Sequence, residues 1–334
     1  APTEIYTLSL HDALPISRAE AGDEVEVFLD TTPFYPEGGG QVPDTGTIAG
    51  LSGRMAVEDV ARVAGSLIVH KGRITSGVLK VGDRVQAQVD RGARLATARN
   101  HTGTHLLHKA LHEVLGSHAK QAGSLVAPDR LRFDFTHFKP VTKEELAEIE
   151  RRVNEKVLEN LPVTTRYTSY DEAVRSGAMA LFGEKYGDEV RVVEIGEYSK
   201  ELCGGTHVAS AGELGLFKIV SESGVASGVR RIEAVTGKGA LTHVASTQAT
   251  LEEAAGRLGV SVDEVPRQLE KVLQLLKERE KQVSQLKGRL AEAQAAGLAA
   301  QAEVYDGVRV LCARVEGLDM EGLLSLGDRL RERL

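Results

Sequence analysis

The hydrophobic and polar positions of this chain change period twice. From Gly22 to about Asp90 single apolar residues alternate with their neighbours: Val25, Val27 and Leu29 with Glu24, Glu26 and Phe28, then Val85, Ala87 and Val89 with Arg84, Gln86 and Gln88. A period of two sends alternate side chains to opposite faces, so this region reads as short strands. "SLIVHKG" and "RVQAQVD" flank a turn-rich "RITSGVLKVGD", and the steady spacing predicts a small antiparallel barrel. After it the period lengthens. Leu106, Leu107, Leu111, Val114 and Leu115 form the apolar stripe of a long helix that Asn100 can cap and that ends near Gly116.

Next, "GSLVAPDRLRFDFTHF" predicts two strands around a Pro-Asp turn. "VTKEELAEIERRVNEKVLENLPV" predicts a helix with the capping box Thr142–Glu145, the apolar face Leu146, Ile149, Val153 and Val157, and a stop at Pro162. "VTTRYTS", "VRVVEIG" and "FKIVSES" read as further strands, and this mixture without strict alternation is α+β. Beyond Gly237 the pattern becomes heptad-like. Leu269, Val272, Leu276, Val283, Leu286, Leu290 and Ala293 follow a/d spacing, broken at Arg279, with "KEREK" on the exposed face and Pro266 in the first turn. "GVRVLCARVEG" then reads as a strand and "MEGLLSLGDRLRERL" as a helix.

The predicted fold class is therefore α+β: a small antiparallel β-barrel, an α+β domain, a long coiled-coil-like segment and a truncated βα unit. The boundaries fall at 18–92, 93–240, 241–300 and 301–334. Residues 1–17, "APTEIYTLSLHDALPIS", do not continue smoothly into the alternating strands beyond them and read as translated adapter sequence. They are expected to be disordered or accidentally structured, which removes His11 from the site candidates.

Composition narrows the picture. A chain of 334 residues suggests two or three domains. The apolar runs are too short to span a bilayer, so no membrane association is expected. Two cysteines, Cys203 and Cys312, exclude a disulfide framework and fit a reducing, cytoplasmic setting. A net charge of -7 argues against a globally basic nucleic-acid binder but leaves room for a local basic surface.

The candidate chemistry is concentrated. "RNHTGTHLLHKALHEVLGSH" holds five of the ten histidines. His101 and His105 are four apart, as are His108 and His112, and either pair could grip one metal ion from a helix face. "ELCGGTH" adds Cys203 and His207 in a glycine-bearing turn after a strand. A two-histidine face and a C-x-x-x-H turn make a soft donor set that suits Zn²⁺ and disfavours Mg²⁺ and Ca²⁺. His108 and His112 then become supporting or surface residues. A zinc peptidase would need H-E-x-x-H, and Thr102 stands at the glutamate position. In "TPFYPEGGGQVPDTG", three glycines permit a positive φ and a close backbone approach, or make a plain loop.

"NHTGTHLLHKALHEVLG", "KQAGSLV", "LRFDFTH", "GAMALFGEKYGDEVRVVEIG", "ELCGGTHV" and "ESGVASGVRRIEAVTG" together resemble the editing domain of the alanyl-tRNA synthetase family. "TPFYPEGGGQVPDTG" resembles the glycine-rich segment of its preceding barrel, so the likeness runs from about Gly22 to Gly237. The threonyl-tRNA synthetase editing domain is a more distant relative. Residues beyond Gly237 look like the linker and opening of the family's C-terminal domain, and nothing before Glu20 resembles a class II aminoacylation core.

The resemblance implies an aminoacyl-tRNA ester hydrolase, without ligase activity of its own, acting on tRNA(Ala) mischarged with serine or glycine. A pocket built for a methyl side chain cannot strongly reject glycine or serine, so a second site supplies the discrimination. By the family pattern His101, His105, Cys203 and His207 hold Zn²⁺, while Thr104 and Gln121 belong to the editing pocket. Gly38, Gly39, Gly40 and Gln41 would face the acceptor end, and Arg230 and Arg231 would meet phosphate. Self-association through the helical segment is a further expectation. A free-standing alanyl-tRNA editing hydrolase and a non-catalytic, zinc-stabilised tRNA-binding module share these motifs. Four protein ligands normally close a zinc site, whereas a catalytic zinc keeps a position open.

Overall fold

The structure, a computed structural model, describes residues 2–10, 15–63, 65, 67–179, 187–318 and 320–334. It divides into two units, Ala1–Ala245 and Ser246–Leu334. Among the described residues, no helix is long and apolar enough to cross a membrane.

The first unit opens with strands β1 (Pro2–Leu10), β2 (Pro15–Ile16), β3 (Arg18–Glu20), β4 (Glu24–Leu29), β5 (Gly46–Gly50), β6 (Gly53–Val63), β7 (Leu67–Lys80) and β8 (Arg84–Val89). Six of them close an antiparallel barrel in the order β1-β4-β7-β6-β5-β8, with β8 returning to β1. Val25, Val27, Ile48, Met55, Val57, Ile74 and Val85 fill it from the inward face of each strand, as the alternation predicts.

Two expectations are corrected here. Residues 1–17 are not disordered where described: β1 pairs with both β4 and β8, and Ile5 is buried in the barrel core. The physical reason is that β4 and β8 otherwise present unpaired edges, and a ladder is built by backbone groups that any extended segment supplies. The stretch "RITSGVLKVGD" is not mainly turn either, since β7 continues through it to Lys80. Its polar residues Arg73, Thr75 and Ser76 sit on the outer part of that strand, where exposure costs nothing.

Beyond the barrel come α1 (Arg91–Leu115), β9 (Gln121–Val126), β10 (Leu131–Thr136), α2 (Lys143–Leu158), β11 (Val163–Ser169), α3 (Tyr170–Arg175), β12 (Glu189–Ile195), β13 (Ser199–Leu202), β14 (Phe217–Ala226), β15 (Val229–Thr236) and α4 (Gly237–Leu258). They make a four-stranded sheet, β14-β15-β10-β9, and a three-stranded one, β11-β12-β13. The core joins Leu106, Leu107 and Leu111 of α1 to Phe133 and Phe135 of β10 and to Ile149 and Val153 of α2. The Thr142–Glu145 capping box forms as predicted, and α1 ends on Gly116 at φ 109.

Asn100 does not cap α1. The helix starts nine residues earlier, where the Asp90 carboxylate accepts the amides of Gly92 and Ala93. Asn100 is buried mid-helix instead, donating to Ala127 O at 2.7 Å and accepting from Thr236 Oγ1 at 2.7 Å.

The second unit contains the end of α4, then α5 (Val265–Ala299), β16 (Glu303–Tyr305), β17 (Val308–Val310) and α6 (Met320–Arg333). The long helix forms with Pro266 in its first turn, and most of its apolar stripe stays exposed, Leu276 at 54% and Leu286 at 60%. Ala291 and Ala295 are buried, and Arg329 and Arg333 of α6 reach Glu292 of α5. The strand predicted at "GVRVLCARVEG" is confined to Val308–Val310, in a two-stranded hairpin with β16.

Candidate metal centre

His101 and His105 stand one turn apart on α1, with nearly parallel rings 5.2 Å between centroids. The helix carries them into the interior because most of its surface between Thr97 and Leu111 is buried. Cys203 and His207 come from the turn after β13. The donor atoms of all four residues lie within 4.8 Å of one another. Cys203 Sγ is 3.3 Å from His101 Nε2 and 3.4 Å from His207 Nε2. Ligands at ordinary zinc–nitrogen and zinc–sulfur distances are separated by ~3.3–3.6 Å in a tetrahedron, so these residues fit a zinc ion.

The orientation of the rings supports the same fit. Gln41 Oε1 lies 2.7 Å from His101 Nδ1, Glu201 Oε2 lies 2.8 Å from His105 Nδ1, and Thr102 Oγ1 lies 3.1 Å from His207 Nδ1. Each imidazole is thus held through Nδ1 with Nε2 left for a metal, the arrangement that partners behind a metal site impose. Both ring nitrogens of His105 are buried without a hydrogen bond among the described residues, Nδ1 meeting Glu201 as an ion-pair contact.

Electrostatics follow from burial and these contacts. Burial pushes the Cys203 thiol up, but the His101 and His105 imidazoles hold it well below its ordinary value. Burial works against a charged His105, yet Glu201 and Cys203 raise it to about 10. Burial also opposes the Glu201 carboxylate, and His105 and His108 hold it well below the usual range. His207 is pushed down to about 3 by burial and by His101.

Glycines and one arginine set the turn that bears Cys203. Arg191 Nη1 donates to Cys203 O at 2.9 Å and to Gly205 O at 2.8 Å. A Cβ on Gly205 would overlap the His101 ring. On the opposite side the glycine loop of the barrel docks against β9. Gly40 adopts φ +78, its carbonyl accepts Val126 N at 2.8 Å, and a Cβ there would overlap Ser124.

A cavity of about 210 Å³ opens beside the cluster, lined by Tyr35, Gly38, Gly39, Thr104, Gln121, Ser124, Gly204 and Gly205 together with His101, His105 and Cys203. It brings Thr104 and Gln121 to the metal centre. Thr104 Oγ1 donates to Asn100 O at 2.8 Å, so its oxygen is left as an acceptor. Gln121 Nε2 donates to Ser124 Oγ at 3.4 Å. A larger cavity, about 690 Å³, belongs to the second unit between Leu276 and Arg329, and none of its lining residues belongs to the donor cluster found among the described residues.

One expected position is corrected, and two more are found in ion pairs. Gln41 does not present its side chain to a ligand: it is 1% exposed and its carbonyl also accepts Thr206 N at 2.9 Å. Arg230 and Arg231, expected to meet phosphate, are engaged by carboxylates of neighbouring strands and are not among the cavity's lining residues. Arg230 makes two bonds to Glu222, at 2.6 and 2.8 Å, and Arg231 two to Asp134, at 2.7 and 2.8 Å. The register of β15 with β14 and β10 puts those carboxylates within reach, and a bidentate pair occupies the guanidinium. Of the motif "GAMALFGEKYGDEVRVVEIG", residues 180–186 lie outside the described residues.

Sequence reasoning missed Glu201, Thr102, Arg191 and the inward role of Gln41. Glu201 had a usable signal. It shares strand parity with Ser199 on β13, two positions before Cys203, and a carboxylate so close to a candidate donor is a natural partner for its neighbours.

The chain is similar in sequence to known proteins over nearly its whole length. Residues 190–233 match the family described as "Threonyl and Alanyl tRNA synthetase second additional domain", and residues 3–93 match "tRNA synthetases class II (A)". The second match begins ahead of Glu20, so it includes part of the segment in which no likeness to a class II aminoacylation core was expected. Alanine–tRNA ligase from Stenotrophomonas maltophilia (strain K279a) is 52% identical over 97% of this chain, and that from Xanthomonas campestris pv. campestris (strain 8004) is 51% identical over 97%. Alanine–tRNA ligase from Thermoanaerobacter sp. (strain X514) is 50% identical over 96%. The chain spans 37%, 37% and 36% of the length of these three relatives.

Proposed function

From the premise that this chain is homologous to alanine–tRNA ligases along 97% of its length, we propose that it carries an editing centre for tRNA(Ala) mischarged with serine or glycine. Water adds to the aminoacyl ester carbonyl, the bond to the ribose oxygen breaks, and the free amino acid and tRNA leave. The observation that carries this reading is the 210 Å³ cavity whose wall joins three of the four donor residues, His101, His105 and Cys203, to Thr104 and Gln121. Its size suits a small aminoacyl group.

His101, His105, Cys203 and His207 would hold Zn²⁺, which when bound can polarise a carbonyl or lower the pKa of a water towards ~7. Thr104 spends its proton on Asn100 O and so accepts, offering its oxygen to the substrate serine hydroxyl. Gln121 can orient a substrate amine or the attacking water through its free amide capacity, and neither residue is a base. Gly38 and Gly39 supply backbone without side chains at the cavity wall, which lets the substrate approach closely.

A non-catalytic reading is favoured by the ligand count, since four protein donors suffice to close a zinc site. In it the metal clamps α1 to the cysteine turn and the surface only binds tRNA. Incubation of the zinc-loaded chain with Ser-tRNA(Ala), Gly-tRNA(Ala) and Ala-tRNA(Ala) separates the two. Editing gives deacylation rates in that order. A zinc-loaded, folded chain that hydrolyses none of the three leaves the binding module.

A further inference from the structure

Glu201 is 1% exposed and has no solvent to stabilise it. Its carboxylate is met from three directions: His105 Nδ1 at 2.8 Å, His108 Nδ1 at 3.3 Å and Ser199 Oγ at 3.2 Å. Gln41 and Thr102 hold the other two rings of the cluster, but both are neutral.

We propose that Glu201 is a positioning residue that sets the affinity of this centre for a divalent ion, by orienting His105 and by supplying the second negative charge. The inference rests on the metal centre of the proposed function and not on hydrolysis. A divalent ion with one thiolate and three neutral imidazoles leaves one positive charge buried. An uncompensated buried charge is costly, and the nearest available compensation is the carboxylate already locked against His105. Such partners behind a ligand typically change metal affinity ~10–100-fold.

A monovalent soft ion distinguishes charge from mere support. With Cys203 as thiolate, a copper(I) ion is already neutralised, so the second charge contributes nothing to it. The full chain is stripped by chelator, and zinc(II) and copper(I) are each titrated against a chromophoric competitor. Folding is followed by circular dichroism and thermal melting. Glu201→Gln preserves shape and an acceptor for His105 while removing charge. It is expected to weaken zinc ~10–100-fold and copper(I) less than about threefold. Glu201→Asp keeps the charge with a shorter reach and should fall between wild type and Glu201→Gln for zinc.

Zinc affinity of Glu201→Gln within about twofold of wild type overturns the proposal, as does an equal loss for both ions. Should Glu201→Gln fail to fold, Glu201→Asp decides, because undiminished zinc affinity with a withdrawn carboxylate is incompatible with it. A wild-type chain that takes up no zinc overturns the metal centre itself, whatever the variants do.

Discussion

Gln41 accepts the Nδ1–H of His101 at 2.7 Å, from 60 positions away in the chain. The contact ties the glycine loop of the barrel to the helix that carries two of the four donors. The barrel therefore orients one member of the candidate metal centre, although none of the four donors belongs to it. The same amide carbonyl accepts Thr206 N, so one side chain holds both the helix and the cysteine turn in place.

Purified protein should contain about one zinc per chain, because the four donors close a tetrahedral set. Elemental analysis checks this. The double variant His101→Ala, Cys203→Ala should contain essentially none, while a metal-free wild type that stays folded and active would refute it.

Gly205→Ala should damage the centre more than the fold. Its Cβ would overlap the His101 ring, forcing that ring off Gln41. Overpacking of this kind costs roughly 1–3 kcal/mol. Zinc affinity by chelator competition should drop by about tenfold or more, with the circular dichroism spectrum preserved. An unchanged affinity would mean that the turn can move freely.

Thr104→Val removes the cavity hydroxyl at nearly constant volume. If Thr104 Oγ1 accepts from the serine hydroxyl, Ser-tRNA(Ala) deacylation should slow ~10–100-fold while Ala-tRNA(Ala) deacylation is unchanged. Steady-state rates on both substrates read the gap. A uniform fall would assign the residue to water positioning, and unchanged rates would remove it from the site.

Acid should weaken the barrel through His70. Its Nδ1–H donates to Val27 O at 3.0 Å and its Nε2 accepts from Thr32 Oγ1 at 2.7 Å. Burial pushes its pKa below the usual 6.5, with the Val27 carbonyl opposing. As pH falls below that value, the unfolded chain takes up a proton that the folded barrel resists, so stability declines. Thermal melting between pH 7 and pH 5 should show a larger loss for wild type than for His70→Gln. Parallel losses would exclude His70 as a source.

The elements legible in the sequence are those built by near neighbours. The Thr142–Glu145 box needs residues three apart, and the hairpin of β9 and β10 needs its own turn. Asn100 misleads because a good capping residue occurs where apolar periodicity becomes obvious, although Asp90 has already started the helix. Residues 2–10 mislead because their composition looks foreign, while strand pairing depends on backbone edges available elsewhere in the barrel.

By itself the sequence determined the donor chemistry: imidazoles one turn apart and a cysteine with a histidine in a glycine turn can select a soft metal through residue type and spacing alone. Spacing alone left open which histidine pair takes part, since His101–His105 and His108–His112 repeat the same spacing on one helix, and only the family resemblance pointed to the first pair. Tertiary packing decided that by turning the first pair toward Cys203 and His207 and the second pair's His108 onto Glu201. It also turned Gln41 inward and closed Arg230 and Arg231 onto Glu222 and Asp134. Local hydrogen bonds are specified within a few residues, whereas the partner of a polar side chain is set by strand register and by which loop docks against which edge. Those are properties of the whole fold.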